Sequence, residues 1–538
     1  MANILYLFYI LRGCYTSTDW NVTTNWTTDL IPGISNSVSI PSGKTALIAA
    51  GSSASCNDLS VVGTLTVNSD VDGTGSLIVS GTATGDVVFK RYVDESFAKA
   101  LKWHYVSAPV AGQALNDAWM TANSISKPGT VWQFYRWDED TDFWIYFNYV
   151  GTAPEDFGDA TFVDSRGYCI TRTEADALSF TGTVRVEDVS YAVTYTALEG
   201  VGCNLTGNPF TSAIGITNDA SSTQKFLAEN EALLDDSYEA LYIWDEESGY
   251  IGSRNDYNVI SNVPITGYDT PINQDYIQPG QAFMVKVISD GNLAFNESMQ
   301  AHATVDYYKN TKELWPSVEI IVENNELSNS TAIGFNENMT LGLDPSYDVG
   351  KMKGNPDIAL YTKLVEDNGV DFAIQALPPL NEDIIKVKIG LDVSHEGDYN
   401  FKLFESENLD KTTSIKLEDK ETGELINFRE TNEYSFNISE SGQIRERFVM
   451  HFNSATGIED QSMENNNIRF YVYENKLFII DKELKKGTIQ LFNMLGQPVM
   501  EKQYSESINT IELNLSKGHY IVRIVTDKAN ISGKIYIH

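Results

Sequence analysis

Cysteine is scarce. Four residues (Cys14, Cys56, Cys169 and Cys203) serve a chain of 538. That is too few for a disulfide-dependent scaffold, and no CxxC spacing marks a structural zinc site. Pairing of Cys14 with Cys56 or of Cys169 with Cys203 stays open beside the reading of small buried thiols. Long apolar runs are also missing, none nearing the roughly 18 residues of a membrane-crossing helix. Cations are outnumbered, 38 Lys and Arg against 74 Asp and Glu, for a formal charge of −36. A surface so acidic repels nucleic acid and anionic bilayers, so neither is expected as a partner.

Chemical motifs are equally thin. The six histidines show no HExxH or paired metal spacing, and His104 and His451 alternate with apolar neighbours as packed strand residues do. No GxSxG elbow, Walker loop or strand-linked GxGxxG occurs. Helical periodicity is nearly absent as well; the longest candidate is 222–234, with Phe226, Leu227 and Leu233 on one side.

What the chain does hold is core material: 42% hydrophobic and 11% aromatic residues, against intrinsic disorder. At about 150 residues per domain, its length suggests three or four domains. Short runs of Val, Ile, Thr, Tyr and Phe, bounded by Gly, Asn, Asp and Ser, give an all-β, multidomain reading. Residues 1–90 carry very short strand pairs such as Leu59/Val61, Leu65/Val67 and Leu77/Val79, expected to form stacked rungs or a small roll. Ile4 to Leu11 within them is apolar and of signal-peptide length, with no Lys or Arg before it. A first strand, or a natural start upstream of Met1, are the readings, with the second preferred.

Residues 91–305 read as a duplicated β domain. Trp103–Pro109 (WHYVSAP) is answered by Cys203–Phe210 (CNLTGNPF), Gln133–Asp138 (QFYRWD) by Ala240–Asp245 (ALYIWD), and Ser165–Ile170 (SRGYCI) by Gln278–Phe283 (QPGQAF). Order is kept while loops stretch: Pro109 to Trp137 is 28 residues, and Pro209 to Trp244 is 35. Residues 315–452 alternate as an antiparallel β-sandwich, and 453–467 have lost apolar content and read as a linker. Residues 468–538 are strand-dense, about the size of a small Ig-like β-sandwich.

This last segment resembles the C-terminal (type A) sorting domain of Bacteroidota type IX secretion cargo. The resemblance is carried by Tyr473–Ile479 (YENKLFI), Gln490–Val499 (QLFNMLGQPV), Ile511–Leu513, Leu515–Val522 (LSKGHYIV) and Gly533–Ile535. It implies that the secretion machinery is a partner and that the product is secreted or held at the outer cell surface. The residues carrying the implied sorting signal are Asn475, Leu477, Asn493, Gly496, Gln497, Gly518, Tyr520, Gly533 and Lys534. Asp19-Trp20-Asn21-Val22 with Asn25-Trp26 is similar to the opening of β repeats in large exported proteins of that group, which implies no chemistry.

Two ligand candidates remain. The aromatic-rich stretch around Trp137 and Trp144 is a candidate platform for sugar rings, although strand alternation makes half of it core. Asp138, Asp140 and Asp142 are a candidate calcium loop, although Phe143 stands where an EF-hand needs Gly. The functional expectation is therefore a non-catalytic surface or secreted β protein of adhesion or envelope structure. The alternatives are a carbohydrate-binding accessory of polysaccharide degradation, or the non-catalytic part of a larger secreted hydrolase.

Overall fold

The computed structural model describes residues 9–11, 18–93, 102–147, 159–245, 256–265, 275–303, 314–324, 327–380, 384–406, 408–453, 468–473, 476–481, 486–493, 495–505, 508–513, 515–526 and 530–537. It divides into two compact units, Met1–Asn453 and Ser454–His538. Both are built of strands. Cys14 and the linker candidate beyond Asn453 lie outside the described residues, as does most of the apolar run at the start.

The first unit begins as a solenoid. Its strands are too short to bury a face alone, so each stacks in parallel on the next turn of chain. One side stacks Tyr9–Ile10, Val38–Ile40, Leu59–Val61 and Ala83–Thr84; a second stacks Thr45–Ile48, Thr64–Val67 and the strand Val87–Val93; a third stacks Ser53–Cys56 on Ser76–Val79. Ile40, Ala46, Cys56, Leu65 and Leu77 point inward and are fully buried. The corners are tight: a Cβ on Gly85, at φ +80°, would sit 1.8 Å from the Val61 carbonyl oxygen. Trp20 and Trp26 are also fully buried, with ring centroids 4.9 Å apart and Trp26 Nε1 donating to the Trp20 carbonyl at 2.8 Å. Cys56, Cys169 and Cys203 are free thiols, and burial, helped by the Asp58 charge, pushes Cys56 up to about 12.

Strand Val87–Val93 joins two architectures. It stacks in parallel on the solenoid and pairs antiparallel with Asp176–Gly182. One hydrophobic core therefore runs from Tyr9 to Val184, across residue 90. The two repeats follow with the same strand order. In one, His104–Val106, Tyr168–Ile170, Phe134–Asp138 and Phe143–Tyr146 are neighbours in that sequence; in the other, Cys203–Gly207, Ala282–Lys286, Leu241–Asp245 and Asp256–Ile260. The flanking pairs correspond too, Val87–Val93 with Asp176–Gly182 and Val189–Val193 with Gly291–Phe295. Each copy places one short helix between its first two strands, Asp117–Ala122 and Phe226–Asn230. The second is shorter than the 222–234 periodicity predicts, because no side chain caps its start and Leu234 already bridges to Val287.

Residues 317–453 form one eleven-stranded sheet. Its pairs are antiparallel except Ala332–Phe335 against Ile374–Leu377. Phe436 lies at one end of the strand order and Phe448 near the other, yet their rings are 4.8 Å apart, so the sheet doubles over its own core. The second unit has a three-stranded sheet (Ile468–Tyr473, Lys476–Asp481, Ile508–Glu512) and a four-stranded one (Pro498–Tyr504, Gly487–Asn493, Gly518–Thr526, Asn530–Ile537). Leu477, Ile479, Ile489, Leu491, Val522 and Ile524 close between them as a separate core. That is the small sandwich its alternation predicts.

Candidate functional site

In the second unit the sorting-signal candidates fall on turns and on neighbouring strands. Asn493 ends a strand and its side chain organises the turn: its Oδ1 accepts from the N–H groups of Leu495 and Gln497, both at 3.0 Å, and its Nδ2 donates to Gln497 Oε1 at 3.0 Å. Gly496, at φ +80°, completes the turn in a conformation that β-carbon sterics deny most residues. Leu495 stands at the tip, 85% exposed. Tyr520 pairs with Asn493 on one side and Ile535 on the other, and its hydroxyl donates to the Ser516 carbonyl at 2.9 Å. Gly518 opens that strand, Gly533 and Lys534 pair with Val522 and Ile521, and Leu477 is buried opposite Ile511. Asn475 lies outside the described residues.

The aromatic candidates have another use. Trp137 and Trp144 are paired across a hairpin with rings 5.2 Å apart; Trp144 also lies 5.8 Å from Tyr105. Trp137 Nε1 donates at 2.7 Å to the Cys203 carbonyl, in the first strand of the other repeat. Tyr105 of the first repeat shares a hydroxyl contact of 3.2 Å with Tyr257 of the second. These rings interlock the two copies, which meet reciprocally: Val106 bridges Gln281 and Thr206 bridges Arg166. Such an arrangement has the character of a two-fold interface written into one chain. Arg185 is buried at this junction, donating to the Ala108 carbonyl of one copy and the Pro209 carbonyl of the other while pairing with Asp164.

The three aspartates of the calcium candidate are not gathered. Asp138 pairs with Arg136 at 2.6 Å and accepts from the Thr141 hydroxyl at 2.7 Å, Asp140 is exposed, and Asp142 turns the chain at φ +54°. Among the described residues no group of three or more His, Cys, Asp or Glu is placed to hold a metal ion. The organising acid is Glu139 instead, 4% exposed, whose Oε1 accepts from the N–H groups of Thr196 and Gly202 at 2.7 and 2.8 Å and holds the loop between them.

Sequence reasoning also missed two buried polar devices. Asn123 and Asn230 occupy the same place in the two repeats: each donates to the carbonyl four residues back (Trp119, Phe226) and accepts a strand N–H (Ser179, Ala294). A signal existed, since Asn123 precedes Trp137 and Asn230 precedes Trp244 by the same 14 residues. The second device joins the second repeat to the eleven-stranded sheet. Lys351 Nζ and Asn329 Nδ2 both donate to Asp256 Oδ2, at 2.8 and 2.7 Å, and the Gly354 N–H donates to Oδ1 at 3.1 Å. Burial alone would raise the Asp256 carboxyl, but the Lys351 ammonium and these donors hold it below the usual range. No local pattern announces three residues so far apart.

A family model described as a domain of unknown function, DUF8693, matches residues 12–452. The chain belongs to that family. A second model, described as a secretion system C-terminal sorting domain, matches residues 474–538. This DUF8693 protein is thus type IX secretion cargo, delivered to the cell surface or beyond it. The two matches fall one on each compact unit. No curated protein matches. Among solved structures, a two-domain fibronectin type III segment of chicken tenascin is similar at 10% identity, covering 29% of this chain and 98% of that one, TM-score 0.12. Ruminococcus gnavus β-glucuronidase is similar at 10% identity over 27% and 36%, TM-score 0.13. The BSP domain of a biofilm-associated protein is similar at 7% identity over 85% and 96%, TM-score 0.16. At such scores the architecture of the DUF8693 body rests on its own strand pairing.

Proposed function

We propose that the DUF8693 body works outside the cell as a non-catalytic β scaffold, in adhesion or envelope structure, after its sorting domain has directed export. The observation carrying this reading is the continuity of the body. One core passes from solenoid to first repeat, and another joins Tyr242 and Met284 of the second repeat to Ala332, Ile374 and Ala376 of the eleven-stranded sheet. Between those joints, the dense aromatics interlock the two repeats. A body stiffened in this way suits holding a surface at a distance. Deleting the gene and measuring surface attachment and envelope integrity tests it: loss of either, restored by the full chain, is expected, and unchanged behaviour in both overturns it.

A second reading, a carbohydrate-binding accessory, draws on the hairpin tip. Phe143 is 59% exposed, the loop held by Glu139 exposes Leu198, and Tyr195 just before it is exposed as well. Exposed rings stack on sugars, and Phe143 is more open than Trp137 and Trp144, which are half-buried and packed on each other. On a glycan array this reading expects binding that Phe143→Ala abolishes; an array without binding rejects it.

A further inference from the structure

The junction of Asp256, Asn329 and Lys351 holds the ingredients of a covalent bond. All three residues are nearly buried, at 6%, 2% and 8% exposure. An amine and a primary amide share one carboxylate oxygen, Lys351 Nζ at 2.8 Å and Asn329 Nδ2 at 2.7 Å. The amide carbonyl is polarised from its other side, where Asn329 Oδ1 accepts the Leu360 N–H at 2.8 Å. We propose that Lys351 and Asn329 become joined by an isopeptide bond that the protein makes itself, with Asp256 carrying the proton.

The chemistry follows from the environment. The resting state is the ion pair, and a proton passed from the Lys351 ammonium to Asp256 along their 2.8 Å hydrogen bond transiently leaves a neutral amine beside a neutral acid. The neutral amine is a nucleophile. Its Nζ attacks Asn329 Cγ, and the negative charge developing on Oδ1 falls where the Leu360 N–H already points. Asp256, in contact with both nitrogens, transfers a proton from Nζ to Nδ2. The Cγ–Nδ2 bond breaks, ammonia leaves carrying the proton first given to Asp256, and a secondary amide links the two side chains. No oxidant or cofactor enters this balance. An unactivated amide is a poor electrophile, but partners fixed in one place for the life of the protein gain an effective molarity that a free amine never has. The three residues line a small cleft with Tyr257, Glu319 and Thr331, through which ammonia departs. The bond would tie strand Ser328–Phe335 to the segment after Val349–Gly350, beside the joint between the second repeat and the eleven-stranded sheet.

Intact-mass spectrometry of the purified full chain tests this, followed by protease digestion. The expected result is a mass short by one ammonia and a single branched peptide containing both Lys351 and Asn329. Lys351→Met and the near-isosteric Asp256→Asn should each recover the full sequence mass. Wild-type protein of full mass, with the two residues in separate peptides, overturns the proposal. A deficit of one water with Lys351 joined to Asp256 overturns it as well, and a branched peptide persisting in Asp256→Asn overturns the proton carrier.

Discussion

Tyr399 donates its hydroxyl to the His395 carbonyl at 2.8 Å, and Tyr520 donates to the Ser516 carbonyl at 2.9 Å. Each tyrosine stands two residues after a glycine of positive φ, Gly397 and Gly518, at the start of a long strand. The eleven-stranded sheet and the sorting module thus turn one corner by one device, a tyrosine tied back to the chain entering its strand. Their surroundings differ. The sheet shares a core with the second repeat, receives the Tyr242 hydroxyl on the Gly350 carbonyl at 2.8 Å, and buries the Asp256–Lys351 pair. Among the described residues, the core of the sorting module is drawn from residues 477–535. A module that serves as an address must fold as itself, whereas a module that serves as a scaffold gains stiffness from shared core.

That contrast is broken most directly by truncation. Removing residues 474–538 should leave the product inside the outer membrane, while the remaining body keeps its thermal transition. Removing residues 317–453 should unfold the rest of the body, because Tyr242 and Met284 lose their cover. Immunoblotting of cell fractions and calorimetry read the two outcomes, and a body that melts normally without its eleven-stranded sheet would dissolve the distinction.

Point changes sharpen it. Arg447 grips the fully buried Asp419 with two nitrogens, and burial's upward pull on that carboxyl is outweighed by the guanidinium and other donors. Arg447→Met should cost about 3–5 kcal/mol, because it strands a buried charge. Leu477→Ala should cost about 2–5 kcal/mol. Each should lower only the transition of its own unit, as scanning calorimetry of the full chain would reveal. Both transitions moving together would argue against independence.

Acid separates the units more gently. Burial pushes the Asp348 carboxyl up to about 7 from 3.8; the Asp344 charge adds to this, and the Ala376 and Asp344 N–H groups oppose it. The folded body then holds a proton that the unfolded chain has released. The stability this contributes is fully present below pH 4 and is lost as pH rises toward 7, at up to about 1.4 kcal/mol per pH unit. Asp348→Asn should flatten that slope in denaturant titrations at pH 4, 5.5 and 7. An unchanged slope would mean the carboxyl is ionised throughout. Smallest of all, Tyr399→Phe and Tyr520→Phe should each cost about 1 kcal/mol, in opposite units.

Several features were legible from residue order. Alternation such as Ile511/Leu513 and Val318/Ile320/Val322 marks strands because a sheet has two faces. The Trp-Asp repeat marks a duplication, and its strand order is the same in both copies. Runs too short to stand alone left stacked rungs or a small roll open, and the parallel pairing of the folded chain decides for rungs. The aromatic and acidic candidates mark where residue order stops. Residue type tells what Trp144 or Asp138 can bind, while the neighbour occupying it (Tyr105 in one case, Arg136 in the other) arrives from the fold.

Composition and periodicity were thus sufficient to say that this chain is made of strands, matched short motifs that part of it is doubled, and a family resemblance that residues 468–538 are an export label. These are properties of nearest neighbours and of short motifs. Which modules fuse, which rings turn inward, and which lysine meets which carboxylate required the folded chain. Asp256 and Lys351 are 95 residues apart, and only long-range packing makes them partners.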